Sequence, residues 1–359
     1  MTEGFDPRVS LKIAELRFPP FIIMDMFSTF PRHELACALR ELADRGVSIG
    51  TSSWKYPGWC GLLYDEQRYF YRGRFAKSRF ERDCLTEYAE VFPTVCVDAG
   101  YYAFPKPAQI ESLCSQVPAD FRFSYKVTEE ITVKRFSHLP RYGNRRGIEN
   151  PNFLSASSFA LNFLRPLEPH RDQIGLLMFE FSRFKKADFE SGREFLGQLD
   201  RFLGDLPTGW QYGVEIRNES FLRPEYFEVL ARHGVTHVYN SWQRMPGIAD
   251  QMKIDGSRTA PFFGSRLLLK PGRKYADAVG AFEPYEKIHE TQPDIRAAAI
   301  DLIGSELKQD RSLKVAETPS VQAEGSYLYV NNRLEGNSLF TIIGILAGLG
   351  MMSKVEGME

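Results

Sequence analysis

Val47-Ser48-Ile49-Gly50-Thr51-Ser52-Ser53-Trp54 is the stretch on which the fold turns. Its apolar run is too short for a helix, it stops at Gly50, and hydroxyls and an indole follow directly. Such a run reads as a buried parallel strand. A doubly wound open sheet that binds a dinucleotide carries Gly-x-Gly-x-x-Gly after its first strand. Here the turn reads Gly50-Thr51-Ser52-Ser53-Trp54 and lacks that fingerprint. A (β/α)8 barrel has no such requirement, and it places polar groups at the C-terminal ends of its strands.

Seven further short runs follow 47–51, at 95–98, 122–126, 175–181, 213–217, 236–240, 266–270 and 327–331. Helical stripes separate them. Leu85, Tyr88, Ala89 and Phe92 precede the second run; Phe195, Leu196, Leu199, Phe202 and Leu203 precede the fifth; Ile295, Ala298, Ala299, Leu302 and Ile303 precede the eighth. Pro224 opens another helix through Tyr226, Phe227 and Leu230, which stops at Gly234. A last apolar helix starts near Ser338. This pattern predicts an α/β fold, a (β/α)8 TIM barrel over residues 47–352. Before it, residues 1–46 form an N-terminal extension whose helical stripe (Leu35, Leu39, Leu42, Ala43) stops at Gly46. Residues 353–359 form a tail.

Composition narrows the classes. Basic and acidic side chains number 45 and 46, which disfavours nucleic acid as a partner, since such binders usually carry a strong basic excess. The basic stripe Arg72, Arg74, Lys77, Arg79 and Arg82 reads as a solvated helix face. The apolar run from Leu339 to Met352 contains Thr341 and three glycines and falls short of the roughly 20 residues of a membrane span. No secretory signal is visible at the N-terminus, and five dispersed cysteines form no disulfide framework or zinc ribbon, so a reducing, cytoplasmic location is expected. Six histidines make no metal motif, and Gly-x-Ser-x-Gly is absent. No cofactor and no metal are expected; an oxygen site from Asp98, Glu180 and Glu215, suited to magnesium or manganese, is the one set a metal would use.

Polar residues gather where the runs stop: Ser52 and Ser53, Asp98, Lys126, Glu180, Glu215 with Arg217, Asn240, Lys270, and Asn331 with Asn332. Buried charge is costly unless paired, so this clustering carries information. Glu215 and Arg217 lie two apart on one strand and face the same way. They form either an internal ion pair at the barrel mouth or a substrate clamp. Lys126 is either a desolvated base or Schiff-base nucleophile, or a counter-ion for Asp98, Glu180 or Glu215. After the last two runs come Lys270-Pro271-Gly272-Arg273-Lys274 and Asn331-Asn332-Arg333, the second leading to a helix capped by Asn337 or Ser338. This fold often holds phosphate there. The alternative is a solvated basic turn beside an ordinary cap. Aromatic residues crowd the same end: Trp54, Tyr56, Trp59, Tyr101, Tyr102 and Trp242, rings that stack on a sugar or base or else fill the core.

Taken together, Ile49-Gly50-Thr51-Ser52-Ser53-Trp54 with Tyr56 and Trp59, Leu85-Thr86-Glu87-Tyr88-Ala89, Tyr101-Tyr102-Ala103-Phe104-Pro105, Phe121-Arg122-Phe123 through Lys126, Val214-Glu215-Ile216-Arg217 and Asn331-Asn332-Arg333 resemble the YecE-like family called domain of unknown function 72. The resemblance covers roughly residues 47 to 350 and implies a TIM barrel of the sugar-isomerase-like kind, with no established reaction. Departures mark a divergent member. Cys96 and Asp98 stand where the family has glutamate and asparagine, and Glu180-Phe181-Ser182-Arg183 replaces Gln-Leu-Pro-Pro. Val133 takes a histidine position, and Lys270-Pro271-Gly272-Arg273 replaces a His-Gly pair.

The reading that follows is an enzyme acting on a small anionic or carbohydrate-like metabolite by acid/base chemistry of isomerase or lyase type. Lys126 and Glu215 are its acid/base candidates, Arg217 and Asn332 orient, and Lys270, Arg273 and Arg333 hold the anion. The alternatives are hydrolysis of a glycosidic or phosphate ester bond by Glu180 or Asp98 with Glu215, and a non-catalytic ligand- or nucleic-acid-binding barrel.

Overall fold

All eight runs are strands, and they close on one another as a parallel barrel in the computed structural model, which describes residues 30–308 and 325–353. They are β1 (Val47–Thr51), β2 (Thr94–Val97), β3 (Arg122–Lys126), β4 (Ile174–Phe181), β5 (Gln211–Ile216), β6 (Thr236–Ser241), β7 (Gly264–Leu267) and β8 (Ser326–Val330). Each strand pairs with the next in sequence, and β1 closes the ring by pairing with β8 along its whole length and with β2 at Thr51–Val95. The chain is a (β/α)8 barrel with an N-terminal extension.

Helices cross between the strands on the outside. Those used below are α1 (Arg32–Asp44), α2 (Lys77–Ala89), α3 (Pro107–Cys114), α4 (Gly192–Gly204), α5 (Pro224–Arg232), α6 (Pro293–Leu307) and α7 (Ser338–Gly348). α1 lies ahead of the first strand and buries Leu35, Leu39 and Leu42, and the chain turns at Gly46, whose φ of 86° suits glycine. Residues 1–29 of the expected extension and 354–359 of the expected tail lie outside the described residues. No helix among the described residues is long and apolar enough to cross a membrane.

The inward positions form two layers. Cys96, Leu176, Met178, Val238, Tyr327 and Tyr329 pack with Ala260 and Phe262 into a dry plug. Above it, one pleat further along the strands, come Asp98, Lys126, Glu180, Glu215, Asn240 and Arg266. The apolar plug therefore floors a layer of charge.

Element boundaries differ from the sequence pattern most at the seventh strand. The run 266–270 is apolar, but the strand is Gly264–Leu267. A side chain at Gly264 would meet Leu176 Cδ2 at 2.7 Å, so glycine is needed to let the plug fill this point. The shift leaves Lys270 three residues past the strand end, on an exposed turn.

Gly50, in the stretch that decides the fold, is fixed by the same kind of constraint. A Cβ there would lie 2.2 Å from the Thr94 carbonyl oxygen, a backbone atom of the adjacent strand. Gly50→Ala is expected to lose about 1–3 kcal/mol of stability in urea denaturation, the usual cost of overpacking. A loss too small to measure would show that β1 and β2 have room to part.

Candidate active site

Six ionisable side chains from five strands meet at the C-terminal mouth. Asp98 follows β2 and Lys126 ends β3. Glu180 lies near the end of β4, Glu215 lies in β5 with Arg217 just beyond, and Arg266 lies in β7. They alternate in sign. Arg266 donates to Asp98 at 2.7 Å and to Glu215 at 2.8 Å, and stands 3.5 Å from Glu180. Arg217 bridges Glu215 at 2.8 Å and Glu180 at 2.7 Å. Lys126 pairs with Glu180. Three carboxylates thus face three cations, and every ion has a partner of opposite sign.

Two of the cations also rest on aromatic faces. Lys126 Nζ lies 3.6 Å from the Tyr101 ring centroid, and the Arg217 guanidinium lies 3.8 Å from that of Trp242. Desolvated cation–π contacts of this kind hold a cation in place. The ions are graded by depth. Glu180, Glu215 and Arg266 are buried, the Lys126 and Arg217 side chains are 13% and 11% exposed, and Asp98 is 33% exposed. Cys96 Sγ, from the plug below, donates to Asp98 Oδ1 at 3.5 Å. No hydrogen bond to Asp98 Oδ2 is found among the described residues.

Burial would raise the Glu215 carboxyl, but Arg217, Arg266 and Lys126 outweigh it and hold it down at about 2. Burial would lower the Arg266 guanidinium, but Asp98 and Glu215 drive it well above its ordinary value. Glu215 and Arg266 are therefore fixed charges near neutral pH. Glu215 has no proton to donate there, so of its expected acid or base role only that of base is compatible with this charge. Lys126, expected as the other acid/base group, is held as a counter-ion between Glu180 and the Tyr101 ring.

The oxygen ligands considered for a metal do converge, but Arg266 lies between them. No group of three or more His, Cys, Asp or Glu residues is placed to hold a metal ion among the described residues.

The rim is aromatic. Tyr102 is 61% exposed beneath Arg141, whose guanidinium lies 5.2 Å from its ring. Tyr275 is 46% exposed, with Arg333 at 4.5 Å. Tyr56 and Trp242 pack half-buried against one cluster, Leu269, Ala278, Phe282 and Tyr285.

Other expected site residues have structural partners. Trp59 is fully buried against Tyr56 and Tyr64, and Trp54 is buried too, so neither ring offers a stacking face. Asn331 Oδ1 accepts from the Arg333 amide at 3.0 Å. Asn332, expected to orient substrate, accepts from the Ser338 amide and hydroxyl, both at 2.7 Å, while Asn337 caps α7 through the Leu339 amide at 2.9 Å. The start of α7 is thus occupied by the protein's own side chains. Lys270 and Arg273 both pair with Glu290, which they and Gln292 hold down at about 2. Of the expected anion-holding set, Arg333 alone has no carboxylate partner among the described residues.

Arg266 is the member of this ionic layer that the sequence pattern did not single out. Its signal was present, an arginine two residues into an otherwise small and apolar strand.

An eight-stranded parallel barrel with an ionic mouth defines a TIM-barrel protein. The family described as "Protein of unknown function DUF72" matches residues 48–355, and the chain belongs to that family. It is 26% identical over 175 residues to the UPF0759 protein YecE of Escherichia coli K12, covering 49% of this chain and 50% of that one, so the chain spans about half the length of the curated relatives it matches. Two solved DUF72 family structures share the fold. That of Enterococcus faecalis V583 aligns with a TM-score of 0.53 at 16% identity over 86% of this chain and 97% of that one. That of Thermotoga maritima MSB8 aligns with a TM-score of 0.53 at 20% identity over 86% and 100%.

Two outcomes follow from the ionic layer. Removing one partner of a buried ion set leaves the rest uncompensated, so Arg266→Met is expected to cost about 3–5 kcal/mol in urea denaturation. The second concerns pH. Because the Glu215 carboxyl is depressed in the folded chain, its contribution is complete above the ordinary value of 4.5 and is lost as pH falls through about 2. Stability measured between those limits is expected to fall by roughly 3 kcal/mol on this account, and Glu215→Gln is expected to show a shallower acid slope.

Proposed function

We propose that the mouth is the active site of an enzyme that acts on a small, carbohydrate-like anionic metabolite by proton transfer, in an isomerisation or carbon–carbon lyase reaction. The observation that carries this reading is the grading of the ionic layer. Glu180, Glu215 and Arg266 are sealed, while Asp98, Lys126 and Arg217 reach solvent at the mouth. A layer that served packing alone has no need of charges, since apolar side chains of similar volume are often as stabilising.

In this reading the Asp98 carboxylate takes the proton from a carbon next to a carbonyl, through its free Oδ2. The electron pair of that C–H bond moves to the carbonyl oxygen, where the Lys126 and Arg217 cations stabilise the developing oxyanion. Transfer of a proton from the hydroxyl of the deprotonated carbon to that oxygen, and return of the first proton to the former carbonyl carbon, re-forms a carbonyl on the adjacent carbon and completes an isomerisation. Arg266 positions Asp98 and does not touch the substrate. Tyr102 and Tyr275 offer exposed ring faces to a sugar-like body. The hydrolytic alternative would use Glu215 as its ionised carboxylate with Asp98 or Glu180 as the acid.

The test uses aldoses, ketoses, sugar acids and their phosphates, incubated with the protein in deuterium oxide and followed by proton NMR. At least one compound is expected to exchange a carbon-bound proton with solvent. Asp98→Asn is expected to slow that exchange by about 100-fold or more while the compound still binds. Binding without exchange in the native protein would make this a non-catalytic barrel. An unchanged rate in the Asn variant would remove Asp98 from the chemistry.

A further inference from the structure

We infer that a second pocket, beside the mouth and over β4 and β5, binds the phosphate group of a small phosphorylated ligand. This rests on the reading of the mouth as a ligand site only in supplying the rest of that ligand. The loop after β4 and the loop after β5 line an open groove of about 880 Å³, within the range of small-molecule sites. Its basic lining is Lys185, Lys186, Arg193 and Arg223. None of the four has an ion-pair partner among the described residues. The expected anion holders Lys270 and Arg273, by contrast, are both neutralised by Glu290. The surplus positive charge of this face lies over the fourth and fifth strands rather than the seventh and eighth.

The pocket is braced before any ligand arrives. The Phe184 amide donates to Asn218 Oδ1 at 2.8 Å, tying one loop to the other. The Lys185 amide donates to Asp188 at 2.7 Å, and the Glu190 amide donates to Glu194 at 2.7 Å. Beneath them Phe184, Phe189, Phe195 and Phe221 pack ring on ring, with centroids 4.8–5.3 Å apart along the chain of contacts. A preformed wall fixes the backbone that carries the four cations, whose side chains are exposed. The start of α4, capped by Ser191, lines the same cavity, and the positive end of its dipole adds to the four cations.

Glu190 and Glu225 also line the pocket, which leaves an excess of two positive charges, enough for one phosphate dianion. A second, smaller cavity of about 250 Å³ shares Phe184 and Lys185 with the first and reaches Tyr101 and Ser182. Tyr101 supports Lys126, and Ser182 donates to Glu180 at 3.2 Å. The two cavities are therefore neighbours that share a wall, and the smaller one abuts residues that touch the ionic layer. The proposed ligand places its carbonyl at Lys126 and Arg217 and its phosphate at Arg193 and Arg223. The balanced charge of the whole chain, −1, favours this over a nucleic-acid backbone.

The experiment is a phosphorus NMR titration of inorganic phosphate into the full-length chain at low ionic strength. Saturable binding is expected below about 10 mM. The exposed double variant Arg193→Gln/Arg223→Gln is expected to bind at least about tenfold more weakly through the loss of two charge-assisted bonds, with an unchanged urea midpoint. Asp98→Asn is expected to bind phosphate like the native chain. Phosphate binding with no proton exchange in any sugar would leave this pocket standing and remove the proposed chemistry of the mouth. Absence of saturable binding overturns the inference. So does equal weakening by Lys270→Gln/Arg273→Gln, which would return the anion to the seventh strand. Binding of a single-stranded oligonucleotide in place of phosphate, lost in the Arg193/Arg223 variant, assigns the groove to nucleic acid and overturns the small-ligand reading.

Discussion

Arg266 is held by three carboxylates from three other strand ends, and the rest of the mouth is arranged around that contact. Its guanidinium fixes Asp98 on one side and Glu215 on the other, 2.7 and 2.8 Å away. Glu215 then takes Arg217, Arg217 takes Glu180, and Glu180 takes Lys126. The chain of contacts is a single charge-balanced network with little slack. The dry plug beneath it strengthens each attraction, because a low local dielectric favours paired ions and penalises unpaired ones.

Such a network is expensive. Taking ions from water costs several kcal/mol apiece after relaxation, and the attraction between them repays this only with good geometry. The barrel below and the helices outside supply the stability, and the mouth consumes some of it. That division fits the fold, in which conserved scaffolding and variable chemistry lie at opposite ends of the strands. Asp98 and Glu180 are both partners of cations in this chain, and loss of Glu180 would leave Lys126 without an ion-pair partner among the described residues.

Much of this was legible in the sequence, for a physical reason. Strands in a barrel are short, apolar and buried, so a charged residue at the end of one stands out, and Asp98, Lys126, Glu180, Glu215 and Arg217 all did. Arg266 was missed because Gly264 and Ser265 carry no apolar signal, which moved the apparent strand two residues along and made Lys270 look like its end. Asn332 shows a different failure. A polar residue after a strand looks the same whether it serves substrate or caps a helix, and only the 2.7 Å bonds to Ser338 separate the two. Glu290, seventeen residues beyond Arg273, has no local pattern linking it to the basic turn it neutralises. Pairings of that range are set by the path of the chain through the loops, which sequence periodicity does not carry.

The central claim is that the ionic layer is kept for chemistry and not for folding. The direct measurement is the stability, by urea denaturation, of a chain in which the whole layer is made apolar at once: Asp98→Leu, Lys126→Met, Glu180→Met, Glu215→Met, Arg217→Met and Arg266→Met. If the layer is functional, removing every charge together leaves no ion unpaired, and the variant is expected to be as stable as the native chain or more so, by about 1–4 kcal/mol. A variant that fails to fold, or that loses several kcal/mol, would show that the network holds the barrel together and would contradict the account.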